Sequence, residues 1–167
     1  MISSSEPAQA VAADGVPSMK APPHGRMAGL DAVLSRGGST SIHLPRGLPG
    51  FSTLRSCWLE PRPAPADHFL CLRSQDQPDI SFLVLPVPPE LRLLAPADLK
   101  AVCGELRIEP DDLQLLLMVT VRPGDTGLQA FANLRAPIFV DADRRMAWQV
   151  VMPGAGYPIR YPLQAAR

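Results

Sequence analysis

The triplet Asp125-Thr126-Gly127 is the part of this sequence that comes closest to a catalytic motif. Aspartic proteases use an Asp-Thr-Gly triplet whose carboxylate shares a proton with a second carboxylate. In those enzymes the triplet leaves a hydrophobic strand and precedes a small residue. Here Arg122-Pro123-Gly124 comes before it and Leu128 follows, which is typical of a tight turn between two strands. We therefore predict a hairpin turn, and the alternative is an acid-active hydrolase that uses Asp125 as a dimer.

The other reactive side chains do not have the spacing of a metal site or a catalytic site. The histidines are widely separated, and no His-Glu-x-x-His, Gly-x-Ser-x-Gly or phosphate-binding glycine motif occurs. The cysteines form no Cys-x-x-Cys pair, and Cys57 and Cys71 lie in apolar runs, where buried, unreactive thiols are expected. The residues concerned are His24, His43, His68, Cys57, Cys71 and Cys103. We predict no catalytic residues, no metal site and no cofactor, and hence a protein that is not an enzyme.

Composition limits the location and the partners of the chain. Its 167 residues carry 16 basic and 16 acidic side chains, so no net field attracts nucleic acid. A small β-barrel that binds RNA directly is the alternative, but the aromatic share is only 5%. The first residues lack the basic and apolar regions of a signal peptide, and no apolar stretch reaches the roughly 20 residues that cross a bilayer. We predict a soluble, cytoplasmic monomer that binds neither membranes nor nucleic acid directly.

The elements that must position any functional side chain are mainly strands. Residues 113–122 are apolar at nearly every position, which indicates a strand buried on both faces. Its length of about 33 Å, at about 3.3 Å per residue, predicts a bend or a bulge. After the turn at 123–127, apolar runs at 128–133, 138–140 and 146–152 complete a β-meander that forms the core.

Shorter strands and one helix precede this meander. A strand is predicted at 54–60 with Trp58 as its large anchor, and 68–73 and 80–85 are predicted to pair as a hairpin. A helix is predicted to begin at Pro96, with Asp98 in its first turn, and to stop at Gly104. The charged pair Arg144-Arg145 is expected to be a solvated turn.

Twenty prolines exclude a helical bundle, because each interior proline costs on the order of 3 kcal/mol. They favour short strands joined by stiff connections, with the prolines in loops or at sheet edges. We predict a mainly β fold, namely a small β-barrel-like, rolled antiparallel sheet with one or two short helices. Residues 1–39 are predicted to be a mostly disordered N-terminal tail, 40–163 the β domain and 164–167 a C-terminal tail.

Four blocks between residues 44 and 163 carry a resemblance to a known family. In chain order they are Leu44-Pro45-Arg46-Gly47-Leu48-Pro49-Gly50-Phe51, the segment 72–84, the segment 133–140, and Gln149-Val150-Val151 with Tyr157 and Arg160-Tyr161-Pro162-Leu163. They are similar to the Phe-Pro-x-Gly-Leu-Pro-Gly-Phe loop, the Leu-x-Ser-x-Asp-x-Pro-Asp hairpin, the Asn-Leu-x-Ala-Pro-Ile run and the C-terminal Gln-Val and Tyr-x-x-Arg-x-Pro-Leu ending of the flagellar assembly factor FliW family. One block alone is a common turn pattern, whereas four in order are a specific signal. The family's first hairpin matches poorly, at residues 24–30.

The resemblance implies a non-enzymatic β protein that exchanges partners. It implies binding of flagellin before export and, when flagellin is absent, binding of the carbon storage regulator CsrA, a small homodimeric RNA-binding protein. Binding would relieve the block that CsrA places on flagellin translation, so that assembly controls synthesis. Thirteen acidic and twelve basic residues make 44–163 nearly neutral, so a mechanism that repels RNA from CsrA by charge is not expected here.

Three short segments are predicted to contact these partners. A loop stiffened by two prolines either presents Leu48 and Phe51 with little entropy to lose on binding, or folds them inward. Two aspartates flank Pro78 and either cap the turn or meet a basic partner. An asparagine before the Ala-Pro step either satisfies backbone groups or makes a contact. The predicted partner-binding residues are Leu48, Pro49, Phe51, Asp76, Asp79, Asn133 and Pro137.

Overall fold

The computed structural model describes residues 37–87, 91–125 and 127–163. The strands in chain order are β1 (Thr40–His43), β2 (Ser56–Pro61), β3 (Leu70–Ser74), β4 (Ser81–Val87), β5 (Leu113–Gly124), β6 (Gly127–Ala132), β7 (Ile138–Asp141), β8 (Met146–Gln149) and β9 (Tyr161–Leu163). Helix α1 (Pro96–Leu106) and a 3-10 turn (Pro110–Asp112) connect β4 to β5. The predicted tails, apart from residues 37–39, lie outside the described residues. No helix in the described ranges is long and apolar enough to cross a membrane.

The strands form one sheet that closes on itself. The order is β4-β3-β2-β1-β8-β7-β5-β6-β9, and a further pairing of β4 with β5 joins seven of these strands into a ring. The predicted mainly β class is confirmed, and the ring is the closed form of the predicted rolled sheet. One contact departs from the antiparallel prediction, because β1 and β8 run parallel and meet at the single pair His43 and Met146.

Part of the sheet projects beyond the ring. Residues 119–124 of β5 pair with β6, and β6 pairs in turn with β9. We call this three-stranded projection the wing. Strands β6 and β9 are not part of the closed ring. Both faces of the wing therefore lie outside the ring, whereas each ring strand has one face turned inward.

Strand β5 is buried on both faces over residues 114–117, whereas residues 120–123 are exposed, so the predicted burial of 113–122 on both faces is confirmed only for the first half of the strand. Leu116 points into the ring, whereas Leu115 and Leu117 point outward under α1. The paired registers of β5 run without a bulge, and its length is accommodated by a change of neighbour. On one side it pairs with β4, and on the other it pairs first with β7 and then with β6.

Two apolar cores result from this arrangement. The inner core fills the ring and consists of Ile42, Leu44, Leu48, Leu54, Cys57, Leu59, Leu70, Leu72, Val84, Leu116, Ile138, Val140 and Ala147. The outer core lies between the sheet and α1, which contributes Val102, Cys103 and Leu106. Burial of both cores stabilises the fold by roughly 25 cal/mol for each Å² of apolar surface removed from water.

Each proline within a strand lies at a position where the strand is paired on one side only. Pro61 pairs only with β3, Pro86 only with β5, Pro123 only with β6, and Pro162 lies in the edge strand β9. A proline cannot donate to a ladder, so an open side is where it costs least. The prediction that strand prolines lie at edges is confirmed.

Helix α1 is longer than predicted. It begins at Pro96 as expected, with Asp98 in its first turn, but it continues through Gly104 to Leu106. Arg107 ends it in the left-handed region, at φ 56°. The extra turn places Leu106 in the outer core, and this burial outweighs the modest helix-breaking tendency of one glycine.

Trp58 is not the anchor of β2. Its neighbours Cys57 and Leu59 are fully buried in the inner core, so alternation turns Trp58 to the outer face, where 38% of it is exposed. Trp148 of β8 is the buried tryptophan, and it lies in the outer core. The prediction for Trp58 was wrong because strand composition does not reveal which parity faces inward.

The C-terminal segment crosses the outer core as a strap over residues 150–163. The Tyr157 hydroxyl donates to Asp98 Oδ2 at 2.6 Å and accepts the backbone N–H of Ala95 at 3.0 Å. Burial and the bond to Asp98 raise the pKa of Tyr157 above its ordinary value. The strap therefore fixes the start of α1, and β9 at its end pairs with β6.

Arg144 lies in the exposed turn between β7 and β8, and its side chain also makes structural contacts. Its Nε donates to Asp141 Oδ2 at 2.6 Å, and its guanidinium donates to the Arg107 carbonyl at 2.6 Å. Asp141 is buried, and the Arg107 carbonyl lies at the end of α1, where a cation complements the helix dipole. The guanidinium also lies 5.8 Å from the ring centroid of Trp148. The predicted exposed turn at Arg144-Arg145 is confirmed, and the contacts of the Arg144 side chain are a further role that the prediction did not include.

Replacing Arg144 with Met should lower the free energy of unfolding by roughly 1–3 kcal/mol, because it leaves the buried Asp141 without its cation, an effect reduced by partial solvent exposure. Urea denaturation measures this loss. Arg145→Met is the matched control and should change stability by less than about 0.5 kcal/mol. Equal losses in the two variants would show that the Arg144 contacts do not stabilise the fold.

The cysteines differ in accessibility. Cys57 and Cys103 are buried in the inner and outer cores, whereas Cys71 is half-buried on the outer face of β3. Burial, with a smaller effect from the negative charge of Asp76, raises the pKa of Cys57 to about 12. Burial also raises the pKa of Cys103.

A thiol reagent applied to the native protein at pH 9 should therefore modify Cys71 first. Cys71 is the accessible thiol of the three, whereas burial shields Cys57 and raises its pKa to about 12, so that Cys57 stays protonated at pH 9. Mass spectrometry of the labelled peptides gives the order. Cys71→Ser should remove the fast phase, and rapid labelling of Cys57 in that variant would contradict the inner-core assignment.

Candidate functional site

All the sequence-predicted contact residues lie in loops at one end of the ring. Consecutive antiparallel strands turn at alternate ends, so the β1–β2, β3–β4 and β6–β7 connections share one end. We call this end, formed by loops 44–55, 75–80 and 133–137, the mouth. The opposite end carries the 61–69 and 142–145 connections.

The Leu48-Pro49-Gly50-Phe51 segment forms a tight turn that closes the mouth. The Leu48 and Phe51 backbones hydrogen-bond to each other in both directions, at 3.2 and 2.7 Å. Pro49 takes the first central position and Gly50, at φ +83°, takes the second, which is the requirement of a type II turn. Leu48 points into the inner core and is buried, so the loop fills the ring from this end.

Phe51 is the apolar side chain that this turn leaves partly outside. It is 39% exposed, and its ring meets Phe82 edge to face at a centroid distance of 5.2 Å. Phe82, Ile80 and Met118 are half-buried and pack on the inner core beneath it. The mouth therefore carries a small aromatic and aliphatic surface with a fixed backbone.

Asp76 and Asp79 lie in the exposed β3–β4 loop. The interpretation that they cap this turn was wrong, because the Ser74 hydroxyl accepts the Gln77 N–H at 3.0 Å instead. Within the described residues, neither carboxylate accepts a hydrogen bond. The loop is held to β2 by the Gln75 N–H, which donates to the Ser56 carbonyl. The two carboxylates are therefore available to solvent or to a partner.

Asn133 and Pro137 shape the third loop. Asn133 Oδ1 accepts the N–H groups of Arg135 at 3.0 Å and Ala136 at 3.1 Å, which confirms the backbone-satisfying interpretation. Pro137 is fully buried, and its carbonyl accepts the Val150 N–H. Both residues define the loop from within, so Asn133 and Pro137, like Leu48, offer little surface to a partner.

Sequence reasoning missed the residues that extend the mouth onto the wing. Phe131 of β6 pairs with Thr120 of β5 and with Pro162 of β9, so these three share a sheet face. This face has the parity of Met118, which packs on the inner core. This alignment follows from the register of the three strands, and no pattern in the neighbouring sequence predicts it.

Asp125 lies at the tip of the β5–β6 hairpin. Gly124 and Gly127 are paired, so Asp125 is a turn residue, and the predicted turn is confirmed. Thr126 lies outside the described residues. Within the described ranges, no group of three or more His, Cys, Asp or Glu residues could hold a metal ion.

The fold is that of flagellar assembly factors. The structure matches the crystal structure of the flagellar assembly factor FliW with a TM-score of 0.57 and 22% sequence identity, covering 75% of this chain and 86% of that one. The sequence then identifies the family. A family model described as FliW protein matches residues 34–163, and the chain belongs to the FliW family. The resemblance of the four blocks is confirmed.

Curated relatives agree with this assignment. The flagellar assembly factor FliW of Moorella thermoacetica is 32% identical over 130 residues, which is 75% of this chain and 78% of that protein. The protein of the same name from Geotalea uraniireducens is 33% identical over 128 residues, 72% of each chain. The poorly matching residues 24–30 lie outside the described residues, and β1 is the first described strand.

Two glycines of the mouth loop provide a matched test of its geometry. At Gly47, φ is +68° and an added Cβ would lie 2.6 Å from the Phe51 carbonyl oxygen, whereas at Gly50 an added Cβ meets open space. Gly47→Ala should therefore lower the free energy of unfolding by about 3 kcal/mol or more, and Gly50→Ala by about 1–2 kcal/mol. Urea denaturation measures both, and equal losses would mean that the close approach at Gly47 does not constrain the loop.

Proposed function

We propose that this protein is a non-enzymatic cytoplasmic flagellar assembly factor that binds flagellin before export. When it is free of flagellin, it binds CsrA and relieves the block on flagellin translation. Membership in a family whose curated relatives are named flagellar assembly factors supports the first part. The resemblance of the four sequence blocks to this family supports both parts.

The observation that carries the proposal is the presentation of Phe51. Its backbone is fixed by the Leu48 hydrogen bonds and by Pro49, and its ring is partly held by Phe82. Little conformational entropy remains to be lost, so the exposed part of the ring can be buried by a partner at low cost. Aromatic side chains, Phe included, are enriched in the buried centres of protein–protein interfaces.

The mouth carries charges of both signs, since Arg46, Arg55 and Arg135 lie in the same three loops as Asp76 and Asp79. The two carboxylates are exposed in the loop that leads into β4, and neither is neutralised by an ion pair among the described residues, so each can meet a basic group of a partner. An RNA-binding protein such as CsrA offers basic side chains, and carboxylates at the rim of an apolar contact steer and orient such a partner. Of the seven predicted partner-binding residues, we therefore propose that four contact partners, namely Pro49, Phe51, Asp76 and Asp79.

Exchange follows from mass action. If flagellin and CsrA cannot occupy one molecule together, export of flagellin raises the free pool that is available to CsrA. The protein then makes and breaks no covalent bond, and it acts through the concentration of its flagellin-free form. A monomer fits this role, because each molecule then reports one binding event.

Calorimetric titration of the protein with flagellin and with CsrA from its own organism tests the proposal. Both should bind, and prior saturation with flagellin should weaken the apparent affinity for CsrA. Flat titrations with both proteins at tens of micromolar would contradict the partner-exchange function.

Substitution of Phe51 by Ala should weaken the binding of at least one of the two proteins by about tenfold or more, since a central aromatic contact is lost. Trp58→Ala is the matched control, because Trp58 is equally exposed but lies on the outer face of β2. It should change either affinity by less than about threefold. Equal effects of the two substitutions would show that the mouth is not the contact surface.

A further inference from the structure

The face of the wing that continues the mouth, which we call the mouth-side face, carries a row of three side chains. Thr120 of β5 pairs with Phe131 of β6, and Phe131 pairs with Pro162 of β9. Two strand spacings of about 4.8 Å make this row about 10 Å wide. Thr120 and Pro162 are exposed and Phe131 is half-buried. The row is therefore a largely apolar surface that the described residues leave open to solvent.

Two arginines flank this row on opposite sides. Arg122 lies two residues beyond Thr120 on β5, where it pairs with Gln129, so alternation places it on the mouth-side face. Arg160 directly precedes β9, two residues before Pro162, and alternation places it on the same face. Both arginines are exposed, and within the described ranges neither makes a hydrogen bond or an ion pair. Their guanidinium groups are therefore available to a partner.

The charge on this face has one sign. Strands β5, β6 and β9 contain no acidic residue, and Arg122 is the one charged residue within them. Asp125 lies at the tip of the β5–β6 hairpin, beyond Arg122 and away from the row. The mouth, by contrast, carries charges of both signs. A partner on the mouth-side face of the wing meets positive charge there, and acidic side chains complement it.

Three other occupants are disfavoured. A second copy related by two-fold symmetry would bring the arginines of both copies to one interface, where like charges repel. Single-stranded RNA binds platforms of several aromatic side chains interleaved with basic ones, whereas Phe131 is the one aromatic side chain of the row. CsrA binds RNA and therefore needs a basic surface of its own, which Arg122 and Arg160 repel. Of the two proposed partners, flagellin remains.

We propose that the mouth-side face of the wing binds a segment of flagellin in which acidic side chains flank an apolar one. The apolar side chain lies on Phe131 and Pro162, and the acidic side chains meet Arg122 and Arg160. The inference rests on the proposed function and deepens it, because it gives flagellin a contact that CsrA lacks. The row adjoins the mouth, so flagellin bound there obstructs the surface around Phe51, as mutually exclusive binding requires.

The experiment titrates flagellin and CsrA separately into the wild-type protein and three double variants. Arg122→Glu with Arg160→Glu should weaken flagellin binding by about tenfold or more at low salt, because repulsion replaces attraction, and it should not weaken CsrA binding. Arg122→Lys with Arg160→Lys keeps both charges and should bind flagellin within about threefold of the wild type. Arg62→Glu with Arg145→Glu is the matched control, because it changes the net charge equally at the opposite end of the ring. It should change flagellin binding by less than about threefold.

Salt provides a second readout of the same contact. Raising the NaCl concentration from about 0.05 M to about 0.5 M should weaken flagellin binding to the wild type several-fold more than binding to the Arg122→Glu, Arg160→Glu variant, since salt screens the attraction that this variant lacks. An equal salt dependence of the two proteins would contradict the charge contact.

Circular dichroism melting of each variant establishes that the fold is kept, which is expected because Arg122 and Arg160 are exposed. If the wild-type protein binds flagellin and the variant with both glutamates binds it as tightly, the wing assignment is overturned while the proposed function stands. Equal weakening by the control variant would mean a long-range charge effect and would also overturn it. Weaker CsrA binding, loss of an RNA gel shift or loss of a self-associated species in the glutamate variant would assign the face to that occupant instead. Failure of the wild-type protein to bind flagellin overturns both proposals.

Discussion

Alternate burial of neighbouring side chains on β5 is the constraint on which the rest of the structure depends. Leu116 supports the inner core while Leu115 and Leu117 support the outer one, so a single strand separates two apolar volumes. Sheets buried on both faces need cover on both, and here the ring supplies one cover and α1 the other. A polar substitution at any one of these three leucines would therefore disturb the core that this leucine faces and leave the other core intact.

The same strand connects the ring to the wing. Near Leu116 it is a wall of the ring, and beyond Val119 it becomes the first strand of the wing. The side chains of β5 that face inward continue from Met118 toward the mouth. Those that face outward continue from the buried Leu117 to the exposed Val121. The exposed side chains of the wing thus continue the two cores beyond the ring.

Local chemistry was sufficient for some of these features and not for others. The doubly apolar run of β5, the turn at Asp125 and the backbone role of Asn133 follow from residue types within a few positions, and the sequence predicts them. The orientation of Trp58 depends on which parity of β2 meets the inner core, which the neighbouring strands decide. The contacts of Arg144 depend on the Arg107 carbonyl, 37 residues earlier, and only the closed fold brings these two groups together.

The ring closes through residues that are far apart in the chain, and this has a consequence for synthesis on the ribosome. β1 meets β8 across more than a hundred residues, and the strap that secures α1 is among the last described segments to be made. Until β8 emerges, the nascent sheet has an unpaired edge at β1, and the pairing of β4 with β5 must hold an open layer together. Folding of such long-range topology is slow, because loop closure is paid for before the final contacts form. A truncated chain that lacks the strap would therefore be a substrate for quality control rather than a weaker binder.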